Sequence, residues 1–314
     1  MSDKKIIAVV GATGAQGGGL VRAILADPNG GFAVRALTRD PSSPKAQALA
    51  QAGAEVIAVD VDDEDSLAQA LQGAHGAYFV TFFWDHMVPE KELAQAGNMA
   101  RAAKRAGVKH AIWSTLEDTR RFVPLDDDRM PTLQGKYKVP HFDAKGEADR
   151  LFAEAGVPTT NLLTSFYWDN LIHFGMGPKQ GEDGRWTFVL PMGEEKLAGI
   201  AAEDIGRSAY GVFKLGEAAI GKTIGIAGDH INGAAMAKEL SDALGREIAY
   251  YAPTPEQYRG FGFPGADDLG NMFQVYQEFQ QHFESSRPVA ATRALNPQLQ
   301  SFREWVKNNA SRLG

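Results

Sequence analysis

Near its N-terminus the chain reads Ile6-Ile-Ala-Val-Val10-Gly11-Ala-Thr-Gly14-Ala-Gln-Gly17, an apolar run followed by regularly spaced glycines. A strand that leads into a glycine-rich turn and then a helix is typical of a site for the pyrophosphate of a dinucleotide. The glycines permit the tight turn, let the backbone approach the phosphates and let the helix pack closely on the strand. The free N–H groups at the start of the helix then face the anion. The alternative is a glycine-rich turn with no special role. The residues predicted to contact the dinucleotide are Gly11, Thr13, Gly14, Ala15, Gln16 and Gly17.

Short apolar strands and helical patterns alternate along the following sequence. Strands are predicted at residues 32–38, 54–60, 77–81, 110–114 and 159–164. A helix is predicted from Glu90 to Arg105, and the acidic residues 62–65 are interpreted as the cap of another helix. Strands that alternate with helices predict an α/β fold, a doubly wound parallel sheet of the Rossmann type.

Two domains are predicted in this chain of 314 residues, of which 44% are hydrophobic. A Rossmann domain that binds NAD(P) spans residues 1–165 and includes returning segments near 198–228. A smaller α+β domain, residues 166–314, is predicted to cap the cleft at the carboxyl ends of the strands. Residues 118–140 lack periodicity and are predicted to form a surface loop.

Composition excludes several classes of function. The net charge of −7 argues against direct nucleic-acid binding, and no apolar stretch approaches the roughly 20 residues of a membrane helix. The absence of cysteine excludes disulfides and fits a reducing compartment, so we expect a cytoplasmic protein, with the nucleus as a second location. The seven histidines lack paired spacing, and no metal site is predicted.

The end of the second predicted strand indicates which dinucleotide is bound. A site that prefers NAD places an acidic residue there to bind the ribose hydroxyls. This chain has Arg39 at that point and Lys45 shortly after it. Because a guanidinium forms charge-assisted, bidentate hydrogen bonds to phosphate, these residues predict binding of NADP(H) through its 2′-phosphate. In the alternative, Arg39 turns to solvent and Asp40 binds the ribose.

Several segments together resemble one family. They are the Gly11–Gly17 turn, Thr38-Arg39, Asp60, Trp113-Ser-Thr-Leu116, His141-Phe-Asp-Ala-Lys-Gly146 and Gly262-Phe-Pro-Gly-Ala-Asp-Asp-Leu269. On these motifs the chain resembles the NmrA-like family, an atypical branch of the short-chain dehydrogenases, and is most similar to its NADPH-sensing type. The resemblance implies a Rossmann domain and a smaller domain that closes over the nicotinamide end. It also implies that further residues contact the cofactor: Asp60, Thr81, Phe83, Lys145, Tyr167 and Asn170.

The chain departs from ordinary short-chain dehydrogenases at the catalytic pair. Those enzymes use Tyr-x-x-x-Lys, in which the lysine helps the tyrosine to transfer a proton. Here Lys145 is retained and His141 stands in the tyrosine position, so Lys145 and His141 are the catalytic candidates. A literal Tyr-x-x-x-Lys at Tyr210–Lys214 lies too late in the fold and is interpreted as a packing tyrosine and a solvated lysine.

Two functions of different classes follow from these residues. In the first, the protein senses redox state: bound NADPH changes its conformation and its affinity for a regulatory protein partner. In the second, it is an NADPH-dependent reductase of a small-molecule substrate, a carbonyl, quinone or imine. The missing tyrosine favours the sensor, whereas the retained Lys145 keeps the reductase as the alternative. Nothing in the sequence indicates an oligomeric state.

Overall fold

The computed structural model describes residues 4–313. The strands are β1 (Lys5–Val10), β2 (Phe32–Thr38), β3 (Glu55–Ala58), β4 (Gly76–Phe79), β5 (His110–Thr115), β6 (Thr159–Leu163), β7 (Phe166–Tyr167), β8 (Lys179–Gln180), β9 (Trp186–Val189), β10 (Lys196–Ile200), β11 (Thr223–Gly225), β12 (Asp229–Asn232) and β13 (Ile248–Tyr251). The helices are α1 (Ala15–Leu25), α2 (Pro44–Gln51), α3 (Glu64–Ala70), α4 (Pro89–Ala106), α5 (Pro140–Glu154), α6 (Asn170–His173), α7 (Ala202–Leu215), α8 (Gly233–Leu244), α9 (Pro255–Arg259), α10 (Ala266–Glu278), α11 (Gln280–Ser286), α12 (Val289–Leu295) and α13 (Phe302–Asn309).

One large sheet carries the candidate site. Its strands lie in the order β11-β6-β5-β4-β1-β2-β3, and neighbours from β3 to β6 pair parallel. The central strands are apolar runs: Ile7, Ala8 and Val9 of β1 have no exposed surface. The chain reverses its direction of travel across the sheet between β1 and β4, where open α/β sheets bind ligands. The predicted doubly wound parallel sheet is confirmed.

Local signals predicted several elements well. β2 has the predicted bounds, while β3 and β4 end two residues earlier than predicted, at Ala58 and Phe79. α4 begins at Pro89, whose fixed φ suits a first helical turn, and ends before Gly107, which has a φ of 69°. Asp63 caps α3, because its carboxylate accepts hydrogen bonds from the N–H groups of Asp65 and Ser66. The interpretation of the acidic run as a helix cap is confirmed.

The chain divides into two compact units. The first contains the chain through Asp118, with Ala144–Thr164 and Glu203–Ile224; the second contains Thr119–Asp143, Ser165–Ala202 and the chain from Gly225. The second unit is thus nearly as long as the first, and it includes residues 119–143, which the predicted domain bounds assign to the Rossmann domain.

The second unit is built on two small sheets, in the orders β12-β10-β7 and β13-β9-β8. Their strands are two to five residues long, too short to give a clear period in the sequence. One aromatic cluster of its core joins Trp168 to Phe302 and Trp305 of α13, with ring centroids 5.4 and 6.1 Å away.

Residues 119–143 are packed into the second unit. Val123, Met130 and Tyr137 are buried, and the buried Lys138 donates hydrogen bonds to the carbonyls of Asp127 and Met130 at 2.6 and 2.9 Å. Most of residues 118–140 is nevertheless irregular, and residues such as Arg121, Asp128 and Gln134 are exposed. The predicted surface loop is therefore confirmed, and the buried side chains anchor it. The segment lacks a period because it is held by side-chain hydrogen bonds to backbone, which leave no periodic pattern in the sequence.

Candidate functional site

The glycine-rich turn joins β1 to α1 in the first unit. The Gly14 N–H donates to the Gly11 oxygen at 2.8 Å, and Gly11 has a φ of 68°, a conformation that favours glycine. A Cβ on Gly17 would lie 2.4 Å from the Gly11 oxygen, so only glycine fits there. Gly14 precedes α1 without a side-chain cap, and Gly14 and Ala15 are exposed. The start of α1 is therefore uncapped and partly exposed, as an anion site requires.

Arg39 follows the last residue of β2 and projects into solvent. Its Nη2 lies 3.2 Å from Oδ2 of Asp85, and its side chain is 78% exposed. Asp40 is already engaged, since its Oδ1 accepts hydrogen bonds from the Ser42 N–H at 2.8 Å and the Ser42 hydroxyl at 2.6 Å. These bonds lower the pKa of Asp40. With Asp40 turned into its own loop, Arg39 is the better placed of the two to meet an incoming ligand.

Two other predicted cofactor residues lie further along the chain, one in the first turn of α2 and one just beyond β3. Lys45, in the first turn of α2, is exposed. Asp60, just beyond β3, is also exposed, and its Oδ1 accepts a hydrogen bond from the Asp62 N–H at 2.9 Å. Both remain predicted cofactor contacts.

Gln16 of the turn points into the sheet. Its Oε1 accepts hydrogen bonds from the hydroxyls of Tyr78 on β4 and Ser114 on β5, the latter at 2.8 Å. All three side chains are buried. Gln16 thus ties the glycine turn to the two strands beside it, and the Ser114 hydroxyl is used inside the fold.

Lys145 lies at the carboxyl end of β4 in a network of buried polar groups. Its Nζ donates to the Thr81 carbonyl at 3.1 Å, the Thr81 hydroxyl at 2.6 Å and Glu92 Oε1 at 2.5 Å. The Thr81 hydroxyl in turn donates to the same Glu92 oxygen at 2.5 Å. An ammonium has three N–H donors, so the lysine is fully hydrogen-bonded by two residues. The Trp113 ring lies beneath the ammonium, 5.6 Å from its centroid.

Glu92 on α4 is a site residue that the sequence did not reveal. Its side chain has no exposed surface, and its Oε2 has no hydrogen-bond partner among residues 4–313. That oxygen lies 3.9 Å from Nε2 of His86, which is likewise buried without a partner in the described part of the chain. His86 Nδ1 accepts the Val88 N–H at 3.0 Å, which places the proton of the neutral ring on Nε2. A ring N–H therefore faces the carboxylate across a short gap.

His141 belongs to the second unit and is paired there with Asp268 of α10. Its Nδ1 lies 2.5 Å from Asp268 Oδ1, and its backbone N–H donates to Asp268 Oδ2 at 3.3 Å. Both side chains are 8% exposed. The carboxylate fixes the ring orientation and holds a proton on Nδ1, which makes Nε2 the basic nitrogen of the neutral ring. Asp268 lies in the Gly262–Leu269 motif, and nothing in the sequence indicated its contact with His141.

The aromatic and amide candidates lie in different surroundings. Phe83 is buried, with its ring centroid 5.5 Å from that of Trp84 and 6.0 Å from that of His86, whereas its neighbour Phe82 is 53% exposed. Tyr167 and Asn170 are half-buried in the second unit. The contacts of Phe83, Tyr167 and Asn170 with a cofactor stay predictions.

The literal Tyr-x-x-x-Lys segment is structural. The Tyr210 hydroxyl donates to Asp27 Oδ2 at 2.8 Å, and burial together with this carboxylate raises its pKa far above the usual range. Lys214 is exposed, with its ammonium 4.6 Å from the Tyr210 ring centroid. The interpretation of a packing tyrosine and a solvated lysine is confirmed.

Comparison with known proteins identifies the chain. A model of the NmrA-like family matches residues 3–306. The chain belongs to the NmrA-like family. It is 28% identical to the NmrA-like family domain-containing oxidoreductase FrzB of Cladobotryum sp., over 92% of this chain and 89% of FrzB. It is 29% identical to an NAD(P)H azoreductase of Xenophilus azovorans, over 86% of this chain and 87% of the azoreductase.

The fold of this NmrA-like protein also matches solved structures. NmrA, a negative transcriptional regulator solved in complex with NADP, superposes with a TM-score of 0.77 at 23% identity, over 98% of this chain and 95% of NmrA. At this identity the match establishes the fold, which agrees with the sheet order described above. Relatives of the NmrA-like protein thus include a regulator and oxidoreductases.

The family motif at residues 141–146 has a physical explanation in this NmrA-like protein. Phe142 is buried, and Asp143 accepts hydrogen bonds from the Thr119 N–H at 2.7 Å and the Lys138 N–H at 2.8 Å. Burial raises the pKa of Asp143, and the hydrogen bonds oppose that rise. A Cβ on Gly146 would lie 2.4 Å from the Asp118 nitrogen. Phe142, Asp143 and Gly146, which have no predicted catalytic role, therefore hold the start of α5 in place.

No group of three or more His, Asp or Glu side chains among residues 4–313 of the NmrA-like protein is arranged to bind a metal ion. No helix within these residues is long and apolar enough to cross a membrane.

Proposed function

We propose that this NmrA-like protein binds NADP(H) and acts as a redox sensor, its occupancy changing its affinity for a regulatory protein partner. The Gly11–Gly17 turn supports cofactor binding, because it leads into a helix whose start has no side-chain cap, and such a helix start suits a pyrophosphate. Arg39 supports the choice of NADP(H), because its guanidinium is exposed and its competitor Asp40 is engaged by Ser42. NADPH, when bound, carries a transferable hydride, and the protein's own groups would bind and orient the cofactor.

The state of Lys145 favours the sensor over an enzyme. In a Tyr-x-x-x-Lys pair the lysine charge stabilises the developing phenolate. Here the three donors of Lys145 are taken by Thr81 and Glu92, and the Glu92 carboxylate compensates its charge. The position that would hold the tyrosine is His141. The lysine is thus built into the fold as one half of an ion pair, and this is the observation that carries the proposal.

A reductase is the second candidate, favoured by the His141–Asp268 pair. The Asp268 carboxylate beside Nδ1 orients the ring, and Nε2 is the nitrogen through which the imidazole can transfer a proton. Two relatives are also named as an oxidoreductase and an azoreductase. In this function NADPH would reduce a quinone, carbonyl, imine or azo compound.

One experiment separates the two functions. NADPH absorbance and fluorescence are recorded together at stoichiometric protein, with a panel of quinones, aldehydes, imines and azo dyes. The sensor predicts bound NADPH that is not consumed. Consumption that falls in Asp268→Asn, with NADPH affinity retained, would establish the reductase. Absence of NADPH binding would overturn both proposals.

A sensor must also respond through a partner. Association with candidate regulatory proteins is therefore compared at saturating NADPH and at saturating NADP⁺. The sensor predicts different affinities in the two states. Equal affinities for every bound partner would contradict it.

A further inference from the structure

Lys145 and Glu92 form a buried ion pair that has no net charge. Glu92 has no exposed surface and the Lys145 side chain is 12% exposed, with 2.5 Å between Nζ and Oε1. Removing one partner of such a pair leaves the other charge buried and uncompensated, which is strongly unfavourable. Each charge therefore determines how strongly the other is felt by a neighbouring group.

The pair lies where a dinucleotide is expected to place its reactive ring. Thr81, which bonds both partners, follows the carboxyl end of β4, and β4 pairs with β1, the strand that leads into the glycine turn. In sheets of this type the ligand crosses the carboxyl ends of the strands at the point where the strand order reverses. The whole cluster belongs to the first unit, together with the turn.

The two redox states of the cofactor differ in charge at the nicotinamide ring. The oxidised ring carries one positive charge and the reduced ring carries none. An uncompensated ammonium near the ring would repel NADP⁺ and leave the binding of NADPH unaffected. A compensated ammonium would repel neither form of the cofactor. Discrimination between the two states at this place therefore depends on the carboxylate paired with the lysine.

We propose that Glu92 sets the relative affinity of the protein for NADP⁺ and NADPH by compensating the charge of Lys145. Glu92 acts through the lysine as a positioning residue, and it allows the protein to bind the oxidised cofactor. This inference rests on the proposed binding of NADP(H). It specifies the regulation of that site: the ion pair adjusts the range of NADPH to NADP⁺ ratios to which the protein responds.

The test measures binding by calorimetry for NADP⁺, NADPH and 2′-phospho-ADP-ribose, which lacks the nicotinamide. We expect Glu92→Gln to weaken NADP⁺ relative to NADPH by on the order of tenfold, as expected for unit charges several ångströms apart at a partly buried site. Affinity for 2′-phospho-ADP-ribose should not change. The double variant Glu92→Gln/Lys145→Gln should restore the wild-type ratio. Glu90→Gln, an exposed glutamate on the same helix, is the matched control.

The outcomes are distinguishable. If Glu92→Gln binds both cofactors with the wild-type ratio, the inference is overturned. If Glu92→Gln does not fold, Lys145→Gln alone decides. It leaves the Glu92 carboxylate uncompensated, so the affinity for NADP⁺ should rise relative to that for NADPH, and an unchanged or lower relative affinity would overturn the inference. If the wild-type protein binds neither cofactor, the proposed function fails with it.

Discussion

The two charged residues expected to meet the cofactor are held very differently. Arg39 and Asp85 are 78% and 46% exposed, and an exposed pair of this kind contributes about 0–1 kcal/mol. Arg39 can therefore exchange its carboxylate for a phosphate at small cost. Lys145 and Glu92 are buried together, and such a pair is costly to separate. Arg39 is therefore available to a ligand, whereas Lys145 is held by the fold.

Arg39→Gln is expected to weaken NADPH binding selectively. Loss of a charge-assisted contact to the 2′-phosphate should raise the Kd for NADPH by about 10- to 100-fold. The Kd for NADH, which lacks that phosphate, should change less than about twofold. Fluorescence titration measures both, with the exposed Arg185→Gln as the control. An equal loss for the two cofactors would contradict the role given to Arg39.

Adjacent aspartates on α10 should differ in their effect on stability. Asp268 accepts hydrogen bonds from the His141 ring and backbone, so Asp268→Ala leaves buried donors unpaired and should cost about 1–3 kcal/mol. Asp267 is exposed, and Asp267→Ala should cost less than about 0.5 kcal/mol. Urea denaturation measures both. Equal costs would show that the His141–Asp268 pair contributes nothing to the free energy of unfolding.

At the scale of elements, the seven residues of the glycine turn between β1 and α1 must meet three backbone requirements. They must form the turn, let the backbone approach a phosphate, and let the helix pack on the strand. α1 packs against the turn so closely that a Cβ on Gly17 would meet the Gly11 backbone at 2.4 Å. The next position is less restricted, since a Cβ on Gly18 would lie 3.1 Å from the flexible end of Arg22 and 3.4 Å, an ordinary contact distance, from the Ala12 oxygen. The requirement for glycine is therefore specific to the position, although both glycines lie on one helix.

Neighbouring glycine substitutions test that requirement. Gly17→Ala should displace the turn and abolish detectable NADPH binding. Gly18→Ala should retain binding and stabilise α1 by up to about 1 kcal/mol, because alanine is the better helix former. Calorimetry measures binding, and urea denaturation measures the free energy of unfolding. Equal binding by the two variants would refute this account of the turn.

β5 contains a histidine that should give the fold a pH dependence. Nε2 of His110 lies 2.9 Å from the hydroxyl oxygen of Thr160. Burial lowers the pKa of His110 to about 4, and the nearby His75 contributes to this shift. As the pH falls, the His110 ring is protonated near pH 6.5 in the unfolded chain but only near pH 4 in the folded chain. The unfolded state therefore binds more protons between these values, and the folded state loses stability as the pH falls through them.

The expected loss from His110 is about 2 kcal/mol across this interval. His110→Gln should flatten the acid limb of the stability curve, measured by urea denaturation between pH 4.5 and about 7.5. His173→Gln, at an exposed site, should leave the curve unchanged. If the wild-type and His110→Gln curves are parallel, His110 does not titrate as described.

At the scale of the whole molecule, the chain consists of two compact units, and the candidate phosphate-binding groups belong to the first. A ligand that binds only the folded state stabilises it by mass action. NADPH at 100 times its Kd should therefore add about 2.7 kcal/mol and raise the unfolding temperature of the first unit by several degrees. Differential scanning calorimetry measures the shift. NADH at the same concentration should give a smaller one, and equal shifts would argue against selectivity for NADP(H).

The sequence predicted the elements with long local patterns and missed those without them. β2 was predicted with its observed bounds, and α4 to within one residue at each end. The short strands β7 and β8 could not be predicted, since two residues carry no period. Residues 118–140 were predicted as a loop, but their anchoring was not, because side-chain bonds to backbone carbonyls leave no local pattern.

What the sequence by itself determined is the parallel sheet, the glycine-rich turn and the basic residue at the end of β2. Each depends on residues close together in the chain, whose spacing sets backbone geometry directly. Only the tertiary structure decided which partners hold the functional side chains. Lys145 meets Glu92 across 53 residues, and His141 meets Asp268 across 127. Such contacts arise when packing brings distant segments together, and no local period or motif encodes them.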